Sequence, residues 1–171
     1  GESVRTILRR RGDGRDGRGI RPGDAYALNA PYEGGTHLPD ITVIMPVFVD
    51  ASDAAPAYFV AARGHHADIG GITPGSMPPG STSVEEEGVL LDNVLIVADG
   101  RFLDAGVSAL LGSGRWPSRN IGQNLADLKA QVAACAKGAA ELRRISAEQG
   151  ADVVAAYMGH CQAQAEEAVR R

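Results

Sequence analysis

The alternation of apolar and polar positions divides the chain into two kinds of element. Ile41-Thr42-Val43-Ile44-Met45 and Ala57-Tyr58-Phe59-Val60-Ala61 are compact apolar runs bounded by Pro or Gly, and they predict buried strands. Gly88-Val89-Leu90-Leu91 and Val94-Leu95-Ile96-Val97 predict two more, separated by Asp92-Asn93 and closed by the turn Asp99-Gly100. Further on the period lengthens. Ile121, Leu125, Leu128, Val132, Cys135, Ala139 and Leu142 recur at alternating steps of four and three, one stripe of a long helix. Asn120 is placed to cap it, with Gln123 reaching back from the third helical position, and Gly150 supplies a left-handed stop. Asp152 is placed to cap a following helix, whose Val154, Met158, Cys161 and Ala165 would pack back on the first as an antiparallel hairpin. A homodimeric coiled coil would use the same stripe, but the small residues Cys135 and Ala139 favour close packing within one chain. The predicted class is α+β, with short buried strands and Gly/Pro-rich loops in the first half and an antiparallel helical hairpin in the second.

Composition sharpens this picture. The 171 residues are 44% hydrophobic and 5% aromatic, which suits a single globular portion, either whole or part of a larger domain. It divides into an Arg/Gly-rich opening segment over 1–22, a strand and motif region over 23–103 and a helical region over 104–171. In the opening segment Arg5, Arg9, Arg10, Arg11, Arg15, Arg18 and Arg21 surround Gly12-Asp13-Gly14-Arg15-Asp16-Gly17-Arg18-Gly19. That run cannot bury apolar area, so it reads as a mobile, solvated linker after Val4, Ile7 and Leu8. The net charge is −4 and no aromatic stands beside these arginines to stack a base, so no nucleic-acid partner is expected. No stretch approaches the ~20 uninterrupted apolar residues of a membrane helix, so no membrane partner is expected either. With two cysteines and no apolar leader, the cytoplasm is the expected compartment. Cys135 and Cys161 both fall on predicted buried helix faces and read as small hydrophobes. His160, late on the second helix without a neighbouring ligand type, reads as a surface histidine.

The remaining three histidines fall in two short glycine-flanked segments at predicted strand ends. Gly34-Gly35-Thr36-His37-Leu38-Pro39-Asp40 sets an imidazole and a carboxylate three residues apart just ahead of a strand. Arg63-Gly64-His65-His66-Ala67-Asp68-Ile69-Gly70-Gly71 follows the next one. Adjacent residues of an extended chain point to opposite sides, so only one of His65 and His66 can join His37 and Asp40. Two histidines and a carboxylate suit an open site for a borderline divalent cation, Zn, Mn or Fe. Asp68 is a candidate to orient an imidazole, to ligate, or to act as a base, and Glu87, in Glu85-Glu86-Glu87-Gly88, is a candidate second acid or base. Asn124 and Asp127, on the first turns of the long helix, are placed either to reach the cleft or to serve as capping and surface groups. No substrate-binding residue is legible. Gly12 to Gly19 has the glycines of a phosphate loop but no Gly-Lys-Ser/Thr ending and no preceding strand, so ATP is not expected to bind here.

These motifs also carry a resemblance. Gly23-Asp24-Ala25-Tyr26-Ala27-Leu28-Asn29-Ala30-Pro31-Tyr32, the Gly-Gly-Thr-His-Leu-Pro-Asp segment, the run from Arg63 through His-His-Ala-Asp to Pro79, Glu85-Glu86-Glu87-Gly88, and Asn124-Leu125-Ala126-Asp127-Leu128-Lys129-Ala130-Gln131 are similar, in order, to the hydantoinase B/5-oxoprolinase family. Members of that family are much longer, so the chain resembles an internal portion of the B component. The resemblance implies an ATP-dependent cyclic amidohydrolase, of 5-oxoprolinase or hydantoinase type. In such an enzyme a hydantoinase A-type ATPase partner activates a small cyclic amide and the B component opens the ring, as in 5-oxoproline to glutamate. It implies a divalent metal held by His37, Asp40 and His65, with Asp68 and Glu87 as catalytic candidates, an oligomeric assembly, and no activity for this portion alone. Two alternatives stand beside it: a non-catalytic docking or scaffold fragment of such an enzyme, and the B-like subunit of a related ATP-dependent ketone carboxylase.

Overall fold

A computed structural model describes residues 1–12, 16–50 and 52–171. Its strands β1 (Ala25–Leu28), β2 (Asp40–Val47), β3 (Tyr58–His65), β4 (Val94–Ala98) and β5 (Arg101–Phe102) form one antiparallel sheet in the order β3-β2-β1-β4-β5. The helices are α1 (Glu2–Arg11), α2 (Asp104–Leu111), α3 (Ile121–Gln149) and α4 (Ala151–Arg170). The α+β class read from the pattern is the class observed.

β2 is apolar at nearly every position because both faces of the sheet around it are covered. On one face Ile41, Val43, Met45 and Val47 join Ala25 and Ala27 of β1 beneath Leu128, Cys135 and Ala139 of α3, with Val107 and Leu111 of α2 completing the core. On the other, Tyr26, Leu28 and Ile44 pack against Ile7 of α1. The two-residue period of the strands sorts these side chains cleanly between the faces. The predicted stripe of α3 is the one that lies on the sheet. Leu128, Cys135 and Ala139 are fully buried, and Ile121, Leu125, Val132 and Leu142 lie along its margin. The short side chain of Cys135 lets the helix come down until its Sγ is 3.7 Å from the Val43 carbonyl.

Several expectations are corrected. Val4, Ile7 and Leu8, ahead of the arginine–glycine run, lie on a helix, α1, that the pattern did not predict, and Ile7 is wholly buried. The middle of the arginine–glycine loop, Asp13 to Arg15, lies outside the described residues. Its flank is tied down, because Asp16 accepts from the amides of Arg18 and Gly19 and from the Arg11 guanidinium. Gly88–Leu91 is not a strand. Buried Asn29 holds that segment by side-chain bonds where a ladder would have run: its Nδ2 donates to Val89 O at 3.0 Å and its Oδ1 accepts from Leu91 N at 2.7 Å. β1, β5 and α2 are too short to leave a pattern. Asp99-Gly100 does turn β4 into β5, both residues having positive φ.

Asn120 caps α3 by accepting from Gln123 N, but the Gln123 side chain turns forward to Asp127 instead of back. Gly150, at φ 89°, ends α3 and itself opens α4, which leaves Asp152 inside the first turn instead of capping it. α4 packs back only at its start. Val154 is its buried residue, while Met158, Cys161 and Ala165 are exposed, so Cys161 is not a core cysteine. His160 is exposed as expected, edge-on to Tyr157. Among the described residues no helix is long and apolar enough to cross a membrane.

Candidate functional site

The loop between β1 and β2 is drawn tightly over the end of the sheet. A Cβ on Gly35 would lie 2.2 Å from the Asn29 carbonyl, so only glycine lets the chain pass there. Asn29 also donates to the Leu38 carbonyl at 2.8 Å, fixing the residue beside His37. Thr36 and His37 are thereby set over the first residue of β2, Asp40. The sheet register then brings in the second histidine, because Asp40 pairs with His65 at the far end of β3.

Asp40 is the centre of this cluster. Its Oδ1 accepts from His65 Nδ1 at 2.7 Å, and its Oδ2 accepts from His37 Nδ1 at 2.9 Å and from the Thr36 hydroxyl at 3.0 Å. Partial burial alone would raise the carboxyl, but the bonds from His65, His37 and Thr36 outweigh it and hold the pKa down at about 2. Asp40 is therefore ionised at neutral pH, and each Nδ1 carries a proton toward it. The imidazoles themselves are largely open, with side chains 65% and 56% exposed for His37 and His65. In this hydrogen-bonded arrangement, no group of three or more His, Cys, Asp or Glu among the described residues is already set around one ion position. The donor chemistry nevertheless suits a divalent cation. His37, Asp40 and His65 are the donor types such an ion takes, and to ligate it the imidazoles would present nitrogens free of the protons that now bind Asp40.

His66, the alternative to His65, faces the opposite way. It is buried against α3, with Nδ1 2.9 Å from Asn124 Oδ1 and Nε2 3.1 Å from Gln131 Oε1. Both amides are held in place by their own donors. Asn124 Nδ2 reaches Asp68 O and Ser118 Oγ, and Gln131 Nε2 reaches Ile41 O and Ala62 O. Asn124 thus serves the back of the site rather than the cleft, and Asp127 accepts from Gln123 on the surface.

Asp68 is not brought to the cluster. Its carboxylate accepts from the amides of Gly70, Gly75 and Arg119 and from Arg119 Nη1 at 2.7 Å. Burial raises it, and the bonds from Gly70, Gly75 and Arg119 lower it further than burial raises it. Those partners make Asp68 the clasp of the loop over 68–76.

Glu87 does come to the site. With His37 it lines a cleft of about 270 Å³, whose other walls are Leu38, Ser76, Met77, Pro78 and Pro79. Its Oε1 accepts from the Ser81 hydroxyl at 2.8 Å. Gly71 seats the segment, since a Cβ there, at φ 90°, would come within 2.8 Å of the backbone of Glu86 and Glu87. Of its neighbours, Glu85 is exposed and Glu86 is taken up by Thr82. The sequence reading missed Asn29, which ties Leu38 to Val89 and so spaces the two walls. A buried asparagine leaves no periodic pattern, and its signals were its place in the Gly23–Tyr32 motif and a polar residue directly after an apolar run.

The geometry sets a His–Asp–His cluster beside a glutamate-lined cleft, and comparison with known proteins supplies its context. The sequence profile of hydantoinase B/oxoprolinase matches residues 1–171. The chain belongs to this family. It is 47% identical over 150 residues to a 5-oxoprolinase of Dictyostelium discoideum, covering 88% of this chain and 11% of that protein. Over 165 residues it is 43% identical to 5-oxoprolinase 1 of Arabidopsis thaliana, covering 90% and 13%. The chain thus spans about a tenth of the length of these curated relatives. Among solved structures, the ATP-dependent caprolactamase from Pseudomonas jessenii superimposes with a TM-score of 0.78 at 26% identity, covering 99% of this chain and 28% of that one. An acetone carboxylase shares the fold, with a TM-score of 0.74 at 18% identity, covering 90% and 19%.

Proposed function

We propose that this chain is part of the ring-opening component of an ATP-dependent cyclic amidohydrolase of 5-oxoprolinase or hydantoinase type, converting 5-oxoproline to glutamate. The observation that carries the reading is the convergence of His37 and His65 on Asp40, with His37 also lining the cleft it shares with Glu87, in a chain whose relatives include proteins named 5-oxoprolinase and an ATP-dependent caprolactamase. His37, Asp40 and His65 would hold a divalent cation, Zn, Mn or Fe, which when bound makes a coordinated water more acidic.

A cyclic amide resists water because nitrogen donates into its carbonyl. An ATPase partner of hydantoinase A type, as a separate subunit or a fused domain, would remove that donation by phosphorylating the oxygen, so ATP is used outside this chain. Water then adds to the carbon, its proton passing to the Glu87 carboxylate. The ring C–N bond breaks with return of a proton to nitrogen, and a second water releases phosphate from the acyl phosphate left behind. Glu87 lines the same cleft as His37 and is held by the Ser81 hydroxyl, which makes it the group to carry that proton.

The test is turnover. The whole protein, supplied with its ATPase component, ATP and a divalent metal, should release glutamate from 5-oxoproline, and the 171-residue chain alone should not. Bicarbonate-dependent carboxylation of a ketone in place of ring opening, or ATP-dependent turnover by the isolated chain, would refute the reading.

A further inference from the structure

The cleft beside His37 has two unlike walls. His37 and Glu87 are polar, whereas Met77, Pro78, Pro79 and the buried Leu38 are apolar. A volume of about 270 Å³ falls below the roughly 300–1,000 Å³ of sites for drug-sized ligands, so the cleft suits a small ring. The apolar wall is held from both ends. Asp68 takes the amide of Gly75 at 3.1 Å and the guanidinium of Arg119, whose Nη2 also donates to Gly71 O at 2.6 Å. On the near side of Met77, Ser76 is 1% exposed at φ 54°, accepts from Ile69 N at 2.8 Å and donates to Gly70 O. On the far side, Pro78 and Pro79 fix their own φ. Met77 itself is 54% exposed, an unbranched apolar side chain that lines the cleft from this anchored loop.

We propose that Met77 is a specificity-determining residue: it packs against the methylenes of a bound cyclic amide and sets the ring size accepted while the amide edge faces His37 and Glu87. This rests on the cyclic-amide reading above. The loop's anchors lie on either side of Met77, so a change in that side chain alters the depth of the cleft while Asp68 and Ser76 still hold the backbone.

The experiment compares 5-oxoproline with 6-oxopiperidine-2-carboxylate, which keeps the carboxylate and adds one ring methylene, in the whole protein with ATP and its ATPase component. One methylene in an apolar pocket changes kcat/KM by about 10- to 200-fold. Met77→Ala should lower the five- to six-membered kcat/KM ratio by roughly tenfold, and Met77→Phe should raise it. Tyr32→Ala, at a residue 96% exposed and outside this cleft, should leave it unchanged. If both Met77 variants keep the wild-type ratio, or lose both substrates equally, Met77 does not select the ring and the inference falls while ring opening stands. Should the shortened variant fail to fold, the Met77→Phe ratio decides alone. A wild-type protein that opens neither ring refutes the functional reading itself, before any variant is made.

Discussion

Replacing Asn29 with alanine removes one side chain that joins three stretches of backbone. The residue is fully buried, and its amide makes three hydrogen bonds of 2.7 to 3.0 Å, to Leu38 O, Val89 O and Leu91 N. Each contributes about 1 kcal/mol net, and each backbone group left without a partner in the interior adds to the loss. Asn29→Ala should therefore cost about 3 to 5 kcal/mol. In urea unfolding of the 171-residue chain this would appear as a lower midpoint at unchanged m, and in thermal melts as a drop of roughly 6 to 20 °C. Asn29→Asp is the sharper variant. It keeps an acceptor for Leu91 N but turns a carboxylate oxygen toward the carbonyls of Leu38 and Val89, so it should destabilise at least as much. Because Leu38 adjoins His37 and Val89 lies two residues past Glu87, either variant should also weaken ring opening in the whole protein. A loss under about 1 kcal/mol in Asn29→Ala, or a tolerated aspartate, would refute this account.

Other substitutions separate chemistry from packing. His37→Ala removes an exposed imidazole and should abolish most turnover while moving the melting temperature little. Leu128→Ala, at a fully buried position, should cost about 2 to 5 kcal/mol yet leave the folded fraction able to bind metal. The depressed pKa of Asp40 predicts an acid limb: its contribution is complete above the ordinary value of 3.8 and is lost as pH falls toward about 2. Asp40→Asn should flatten that part of the stability profile, and parallel losses in both proteins between pH 4 and 2 would contradict it. Gly35→Ala forces a methyl to within 2.2 Å of the Asn29 carbonyl, so it should destabilise by more than the ordinary surface ±0.5 kcal/mol, read from the same urea midpoint.

The periodic elements were legible in the sequence because their cause is local. The four-three stripe of α3 and the apolar runs of β2 and β3 are what any chain must write to bury one face of a helix or both faces of a strand. The Asn120 cap and the Asp99-Gly100 turn are equally local. The candidate ligands were visible as residue types at strand ends, but their partners were not. The choice of His65 over His66 was decided by the pairing of Asp40 with His65 and by Asn124 and Gln131 of α3, residues 58 and 65 positions away from His66. Asp68 looked like a base because composition cannot show that Gly70, Gly75 and Arg119 already occupy its oxygens. Short elements such as α1 and β1 take their stability from packing on each other, through Ile7, Tyr26 and Leu28. Buried polar bonds follow the same rule: Asn29 and Ser76 are satisfied only by backbone that tertiary folding delivers, and no period in the sequence records that delivery.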